Sequence, residues 1–339
     1  MSQDDRLVSP ESQNQDEVRD YAYRPRRIDD FIGQQRLKDN LSIYIQAAQK
    51  RGEAIDHILF HGPPGLGKTT LAHIIAHEMG SGIKTVQAPA LEKTGDIAAH
   101  LTGLNERDVF FIDEIHRLRV AIEELLYSAM EDFKLDIVIG QGAGAKCVSI
   151  PLPRFTLIGA TTKAGLLTSP FYARFGIVDR LDFYDHELLK VVVLRTAKLM
   201  KLSIDDKSAL EIAKRSRGTP RVVNRIMRRV RDFAEVEGEG KITLEIAQNA
   251  LSRLDIDQQG LDMMDRRLLR LIIDQYQGGP VGLDTLAVSM GETADTIEDV
   301  YEPYLIQQGY LMRTPRGRTV TPNCYRYFGL ATKDNYLFE

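Results

Sequence analysis

Gly62-Pro63-Pro64-Gly65-Leu66-Gly67-Lys68-Thr69 has the form G-x-x-x-x-G-K-[ST], the phosphate-binding loop of nucleotide hydrolases. The flanking residues suit it. Ile58-Leu59-Phe60 before it reads as a buried strand, and Thr70 to Met79 after it as a helix with Leu71, Ile74 and Ile75 on one side. Glycines such as Gly65 and Gly67 let successive backbone N–H groups curl around an anion, where side chains would obstruct them. The helix N-terminus adds partial positive charge. In such a loop Lys68 reaches the β- and γ-phosphates and the Thr69 hydroxyl ligates Mg²⁺. ATP and Mg²⁺ are the ligands this predicts.

A chain of 339 residues has room for two or three domains. Hydrophobic content of 43% with 27% charged residues fits a soluble globular chain. No apolar run approaches the roughly 18 residues of a membrane span, so no membrane partner is expected. The two cysteines, Cys147 and Cys324, are far apart, which points to a reducing cytoplasm rather than a disulfide scaffold. A net charge of −4 argues against indiscriminate nucleic-acid binding but hides strong segregation. Residues 1–20 carry six acids and two arginines and read as a disordered lead. From Lys214 through Arg231 there are eight basic residues and no acid, and between Pro303 and Thr332 Arg313, Arg316, Arg318 and Arg326 again occur without an acid. A locally basic face on an acidic protein can still bind a phosphate backbone.

From about Asp56 to Leu181 strands and helices alternate, which implies an α/β unit with a parallel sheet covered by helices. Ile58–Phe60, Thr85-Val86, Val109–Ile112 and Phe155–Ile158 are the strand candidates, and Arg117–Phe133 is the clearest helix. Residues 135–139 and 146–152, around a glycine-rich tip at 140–144, read as a β-hairpin inserted before the Phe155 strand. From Asp185 to Leu254 the pattern is purely helical. From Asp262 three helices, the last Thr293–Gln308, close on a hairpin around Pro315-Arg316-Gly317, which suggests a winged helix with a basic wing.

The strand Val109-Phe110-Phe111-Ile112 ends in Asp113-Glu114. Asp113 is placed to hold Mg²⁺ and Glu114 to polarise the attacking water. Phe155 to Thr162 ends a further strand in two hydroxyls, and parallel sheets bind ligands at the carboxyl ends of their strands. Thr162 is the chosen water-positioning group. Arg174, after a Ser169-Pro170 turn, reads either as an arginine finger or as a surface arginine. Arg221 either senses the γ-phosphate from the helical bundle or caps its helix. Tyr184 either flanks the adenine or packs in the core.

Together these segments resemble the RuvB family, the AAA+ motors that drive branch migration of Holliday junctions in bacteria. The likeness spans nearly everything from Tyr23 to Gly329. Its most specific pieces are residues 62–72, Phe111-Ile112-Asp113-Glu114-Ile115-His116-Arg117-Leu118, Gly159-Ala160-Thr161-Thr162, Arg217-Gly218-Thr219-Pro220-Arg221 and the wing Arg313-Thr314-Pro315-Arg316-Gly317-Arg318. After the lead at 1–20, the resemblance implies a large AAA+ ATPase domain at 21–183, a small helical lid at 184–256 and a winged-helix domain at 257–339. It implies a homohexameric ring around duplex DNA, a RuvA-type junction-binding partner docked on the hairpin at 136–150, and a RuvC-type resolvase in the wider complex. Carried over by position, Lys68, Thr69 and Thr70 hold phosphates and Mg²⁺, Asp113 and Glu114 are the Walker B acids, Thr162 is sensor 1, Arg174 is a finger given to a neighbour, and Arg221 is sensor 2. Tyr23 and Arg24 line the nucleotide, Tyr184 lies near the base, Glu131-Asp132-Phe133 face the neighbour's nucleotide, and Arg313, Arg316 and Arg318 face DNA.

The chain departs from the family pattern in three places. Tyr172-Ala173 stand where relatives have Arg-Asp beside the finger, so the ion pairing of Arg174 must differ. Ala294 stands where relatives often have arginine. The hairpin tip Gly142-Ala143-Gly144-Ala145-Lys146-Cys147 replaces a more basic, proline-containing one. Two other classes share the ATPase motifs: a clamp loader or replication initiator, and a nucleotide switch without turnover. An intact Glu114 argues against the switch.

Overall fold

The computed structural model describes residues 23–139 and 146–331. The lead expected at 1–20 and the hairpin tip at 140–145 lie outside the described residues. The chain divides into two units, Arg24–Tyr184, and Tyr23 with the residues from Asp185 onward.

The first unit runs α1 (Gln35–Arg51), β1 (Ile58–His61), α2 (Lys68–Met79), β2 (Ile83–Gln87), α3 (Thr94–Thr102), β3 (Val109–Asp113), α4 (Val120–Glu131), β4 (Lys134–Ile139), β5 (Lys146–Pro151), β6 (Thr156–Thr161), α5 (Ser169–Tyr172) and β7 (Ile177–Arg180). Five strands form one parallel sheet in the order β2-β3-β6-β1-β7. β1, β3 and β6 have nearly continuous apolar runs, as strands covered on both faces require. Phe60, Phe110, Phe111, Leu157 and Ile158 have no exposed surface. β4 and β5 pair antiparallel from Lys134↔Pro151 to Ile139↔Lys146, as a separate two-stranded ribbon.

Three features differ from the sequence reading. The helix expected over 117–133 is two pieces: a 3₁₀ turn at Ile115–Arg117 and α4 from Val120, because Leu118 and Arg119 are extended. α1 and the edge strand β7 were not anticipated. β7 is four residues long and only partly buried, so it lacks both the apolar run and the alternation that mark a strand.

In the second unit α6 (His186–Leu199), α7 (Asp206–Lys214), α8 (Pro220–Glu237) and α9 (Leu244–Arg253) form a helical bundle, with two-residue strands β8 (Ser203–Ile204) and β9 (Lys241–Ile242) paired between them. Each helix starts at a side chain that accepts a backbone N–H of its first turn: Asp185, Asp205, Thr219 and Thr243. Then follow α10 (Met263–Tyr276), α11 (Leu283–Met290), a helix over 294–307, β10 (Leu311–Thr314), β11 (Gly317–Val320) and a last turn of helix at Pro322–Tyr327. β10 and β11 form the hairpin of a winged helix, and Val281 adds a bridge to Arg318. The 294–307 helix contains a π turn at Ile297–Tyr301. Pro303 lacks the N–H that would bond to the Asp299 carbonyl, and its ring crowds that position, which accounts for the wider turn.

His57 anchors the sheet to α4. Its Nδ1 accepts the Leu157 N–H at 2.8 Å and its Nε2 lies 3.1 Å from the Met130 carbonyl, so the neutral ring with the proton on Nε2 satisfies both. Burial pushes its pKa below 6.5, against smaller raising effects from the Met130 carbonyl and Asp56. The folded state therefore resists a proton that the unfolded chain accepts, and wild-type stability from this group is lost as pH falls below 6.5. His57→Phe strands two buried backbone groups and is expected to destabilise by about 1–3 kcal/mol at pH 7.5. That penalty should shrink at pH 5.5, because the variant has no group to protonate; denaturant melts at the two pH values give the comparison.

Candidate active site

The loop between β1 and α2 carries its glycines for two reasons. Gly67 sits at φ 104°, and a Cβ there would come within 2.9 Å of the Phe31 ring. Gly62 sits at φ 135°, and a Cβ there would meet the Leu181 carbonyl oxygen at 2.4 Å. The backbone conformation and the packing therefore both exclude a side chain. The Lys68 ammonium is buried inside the curl and donates to the carbonyls of Gly62 at 2.7 Å and Pro63 at 2.9 Å. Thr70 is buried in the first turn of α2.

The parallel sheet brings the other motifs to the same edge. The Thr69 hydroxyl donates toward Asp113 Oδ2 at 3.4 Å, so the end of β3 meets the start of α2. Asp113 Oδ1 accepts the Glu114 N–H at 3.0 Å, and Glu114 takes the left-handed conformation at φ 50°. That turn brings the Glu114 carboxylate to 3.4 Å from the Thr162 hydroxyl and 3.2 Å from His116 Nδ1. Thr161 has a different position. It is fully buried, its hydroxyl lies 2.9 Å from His116 Nδ1, and it accepts the Lys163 N–H at 2.9 Å. Of the two hydroxyls ending β6, Thr162 is thus the one beside Glu114, while Thr161 holds the turn. The sequence reading gave His116 no role, although its ring lies between Glu114 and Thr161. Its position two residues after Glu114 was the available signal.

A second cluster forms where α4 and α5 meet. The Arg174 guanidinium stacks on the Tyr127 ring at 4.3 Å, donates to the Pro170 carbonyl at 2.7 Å, and pairs with Glu131 at 3.2 Å. Tyr127 is itself held: its hydroxyl lies 2.9 Å from that of Thr168, which donates to the buried Glu123 carboxylate at 2.7 Å. Burial pushes the Glu123 carboxyl above its ordinary range, and the Thr168 bond opposes this. Arg174 and Glu131, both expected from the resemblance to face a neighbour's nucleotide, are bonded to each other. Asp132 is exposed and pairs with Lys134 at 3.3 Å. The Phe133 ring is partly buried, packs edge-on against Phe155 and lies under Arg154. Tyr172 and Ala173 are exposed and make none of these contacts with Arg174.

The segment before α1 folds back on the end of the first unit. The Tyr184 hydroxyl donates to the Ile32 carbonyl at 2.7 Å, and its ring covers Gly33, where a Cβ would lie 2.5 Å away. Burial raises the Tyr184 pKa, a hydroxyl closed off from water. Phe31, which touches Gly67, is a further residue the sequence reading did not single out. The charge of Arg24 is felt at His73 on α2, where burial first and Arg24 second lower the imidazole's pKa. Tyr23 belongs to the other unit, and its carbonyl accepts from Arg195 on α6 at 2.7 Å. Arg221 is partly buried in the first turn of α8, behind the Thr219 cap.

Family models match almost the whole described chain. The Holliday junction DNA helicase RuvB P-loop domain matches residues 23–181, the RuvB AAA lid domain 184–257, and the RuvB C-terminal winged helix domain 258–329. The chain belongs to the RuvB family. Among solved structures it is similar to the Thermotoga maritima RuvB Holliday junction branch migration motor, at 50% identity and TM-score 0.85 over 92% of this chain and 100% of that one. A single-residue variant of the Thermotoga protein matches at 51% identity over 91% of this chain, with the same TM-score. This chain is therefore a P-loop AAA+ ATPase of the branch-migration motor family, and the clamp-loader or initiator alternative is not favoured.

In this RuvB-family chain the wing arginines are not equivalent. Arg313 Nε donates to Glu302 Oε2 at 2.6 Å and Arg318 Nε to Glu302 Oε1 at 2.7 Å, so one fully buried carboxylate holds both. Glu298 adds contacts of 3.2 Å to Arg313 and 3.8 Å to Arg318. Arg316, at the exposed turn, makes no ion pair among the described residues. The acid-free stretch from Pro303 to Thr332 is thus met by acids from the helix just before it. Ala294 opens that helix and packs partly buried against the winged-helix core. Removing one competing carboxylate should let Arg313 engage a phosphate. Glu298→Gln is expected to steepen the slope of log K against log salt for duplex binding by about one unit. Fluorescence anisotropy across a salt series measures it, and an unchanged slope would show that Glu298 does not compete with DNA.

Proposed function

We propose that this chain hydrolyses ATP with Mg²⁺ to drive branch migration of Holliday junctions, as one subunit of a homohexameric ring around duplex DNA in the cytoplasm. The observation that carries the reading is the meeting of Thr69 with Asp113, and of Glu114 with Thr162 and His116, at one edge of the sheet. The donor set suits Mg²⁺: a hydroxyl and a carboxylate are hard oxygens. When bound there, Mg²⁺ supplies charge neutralisation at phosphate oxygens. Lys68, with the backbone N–H groups of the loop, binds the phosphates. Glu114 accepts a hydrogen bond from the attacking water, Thr162 positions that water, and His116 holds the Glu114 carboxylate in place. Arg221 reads the γ-phosphate from the lid. Tyr23, Arg24 and Tyr184 belong to the segments around the base.

Arg174 serves a neighbouring subunit's nucleotide. Tyr127 and the Pro170 carbonyl orient the guanidinium, and Glu131 holds it until phosphate oxygens replace that carboxylate. The antiparallel ribbon β4–β5 is the docking element for a RuvA-type junction-binding partner, with a RuvC-type resolvase joining the wider complex. Arg316, together with Arg313 and Arg318, meets the phosphate backbone.

Glu114→Gln removes the group that polarises water and is expected to lower kcat about 10²–10⁴-fold with nucleotide binding retained. Arg174→Ala should cost about 10³-fold or more. Mixed in one ring, the two inactive variants should recover ATP turnover, because an intact Glu114 then faces an intact Arg174 across some interfaces. No recovery over any mixing ratio would place Arg174 outside a neighbour's site. Junction movement is tested with a synthetic four-way DNA. ATP-dependent dissociation stimulated by the RuvA-type partner and lost in Lys68→Ala supports the reading, whereas turnover without dissociation would turn attention to a protein client.

A further inference from the structure

Outside the ATPase site a deeply buried charged cluster lies between the lid bundle and the winged helix. At its centre is Arg217, in the turn between α7 and α8 and four residues before Arg221. Its backbone takes the left-handed conformation at φ 51°. The buried guanidinium pairs with Asp265, donates to the Gly260 carbonyl at 2.9 Å, and lies 2.9 Å from Asp262. Asp262 and Asp265 form the capping box that starts α10, the first helix of the winged-helix domain. The guanidinium also lies over the Tyr304 ring at 5.5 Å, and the Tyr304 hydroxyl donates to the Gln259 carbonyl at 2.6 Å. Arg215 adds a bond to the Ile256 carbonyl at 3.1 Å. At Gly260 a Cβ would come within about 3 Å of both the Arg215 carbonyl and the Tyr304 hydroxyl, so the connector is packed against the lid without slack.

These contacts form a continuous path. Arg221 heads α8, Arg217 precedes it, and Arg217 grips α10 and Tyr304. Tyr304 stands on the same short helix as Glu302, the residue that holds Arg313 and Arg318 of the wing. We propose that Arg217 is the positioning residue that makes the lid and the winged helix move as one body, so that a change sensed at Arg221 becomes displacement of the wing. The proposal deepens the reading of this chain as a branch-migration motor. A planar five-donor fork suits the task, because it meets two carboxylates, a carbonyl and a ring at fixed angles, which a lysine ammonium cannot do. Burial raises the pKa of the Asp265 carboxyl, and the charge of Arg217 opposes that rise.

The test reads rigidity and coupling separately. Val236 on α8 and Val288 on α11 are 84% and 85% exposed, and so accept spin labels as Val236→Cys and Val288→Cys in a full-length chain carrying Cys147→Ala. Cys324 is buried and stays unlabelled. In otherwise wild-type protein, with the labelled chain diluted into an excess of unlabelled chain so that only pairs within one subunit are read, pulsed dipolar spectroscopy should give one narrow distance that ATP binding does not move. A distance that broadens or shifts with ATP overturns the proposal, whether or not the protein moves junctions. Arg217→Lys should broaden the distribution. It should also lower the base pairs migrated per ATP at least fivefold while ATP turnover stays within twofold. Should Arg217→Lys fail to fold, Asp262→Asn, which keeps the cap, and Tyr304→Phe, which keeps the ring, should show the same split to a smaller degree. Migration and turnover falling in equal proportion, or a narrow distance and full coupling in every folded variant, would also overturn it.

Discussion

Three strands lie side by side in the same direction, β3 against β6 against β1, and the chemistry depends on that arrangement. In the register, His61 stands opposite Thr161 and Ile112 opposite Gly159. The residues that follow each strand therefore emerge at one level. The phosphate loop, the Asp113-Glu114 pair and the Thr161-Thr162 pair are separated by 44 to 48 residues in sequence, yet their side chains come within hydrogen-bonding reach. Buried aromatic and branched residues close-packed on both faces hold the strands in register, because a slip would put side chains of the wrong shape into each packing site. The strength of the site is thus a property of the core beneath it. Its direction comes from two local devices, the glycine curl ahead of α2 and the left-handed turn at Glu114.

The second unit depends on a different device. Its buried carboxylates, Glu302, Asp265 and partly Asp262, are each met by arginines. Buried ion pairs of this kind add little net stability, since desolvation offsets most of the attraction, but breaking one partner leaves a costly unpaired charge. Their effect is to specify geometry. Glu302 fixes the spread of the two wing strands, and Asp262 with Asp265 fixes the angle at which α10 leaves the connector.

The phosphate loop, the Asp113-Glu114 pair that ends its strand, the β6 threonines, the helical lid and the wing hairpin were legible in the sequence, because each rests on a local pattern: a motif, a period or a turn. Contacts between distant segments were not. His116, among charged neighbours on the stretch after Glu114, carries no distinguishing signal until β6 places Thr161 against it. Phe31 precedes the motif by about 30 residues, and its tie to Gly67 exists only after α1 packs. The split at Leu118-Arg119 is invisible to periodicity, since the apolar spacing runs through it. The wing offers the clearest lesson in charge counting. An acid-free window from Pro303 to Thr332 reads as free positive charge, yet Glu302 sits one residue outside the window and neutralises two of its arginines. A sequence count places charges along the chain, while pairing is decided by which helix lies over which hairpin.

That pairing bears on how a ring could move along DNA. Phosphate contacts carry no sequence information, so a wing that uses them can engage any step of the duplex. A motor also has to release each step. An arginine already bonded to a carboxylate exchanges one anion for another when it meets a phosphate, and the net gain is only the difference between the two. Arg313 and Arg318 are in that position, with Glu302 remaining buried beneath them and Glu298 at the more open edge. Arg316, at the tip, keeps its attraction whole. On the proposed reading, the wing combines one strong contact for engagement with two balanced ones for orientation. This division would allow six such wings to share a duplex without any of them holding it against the next step.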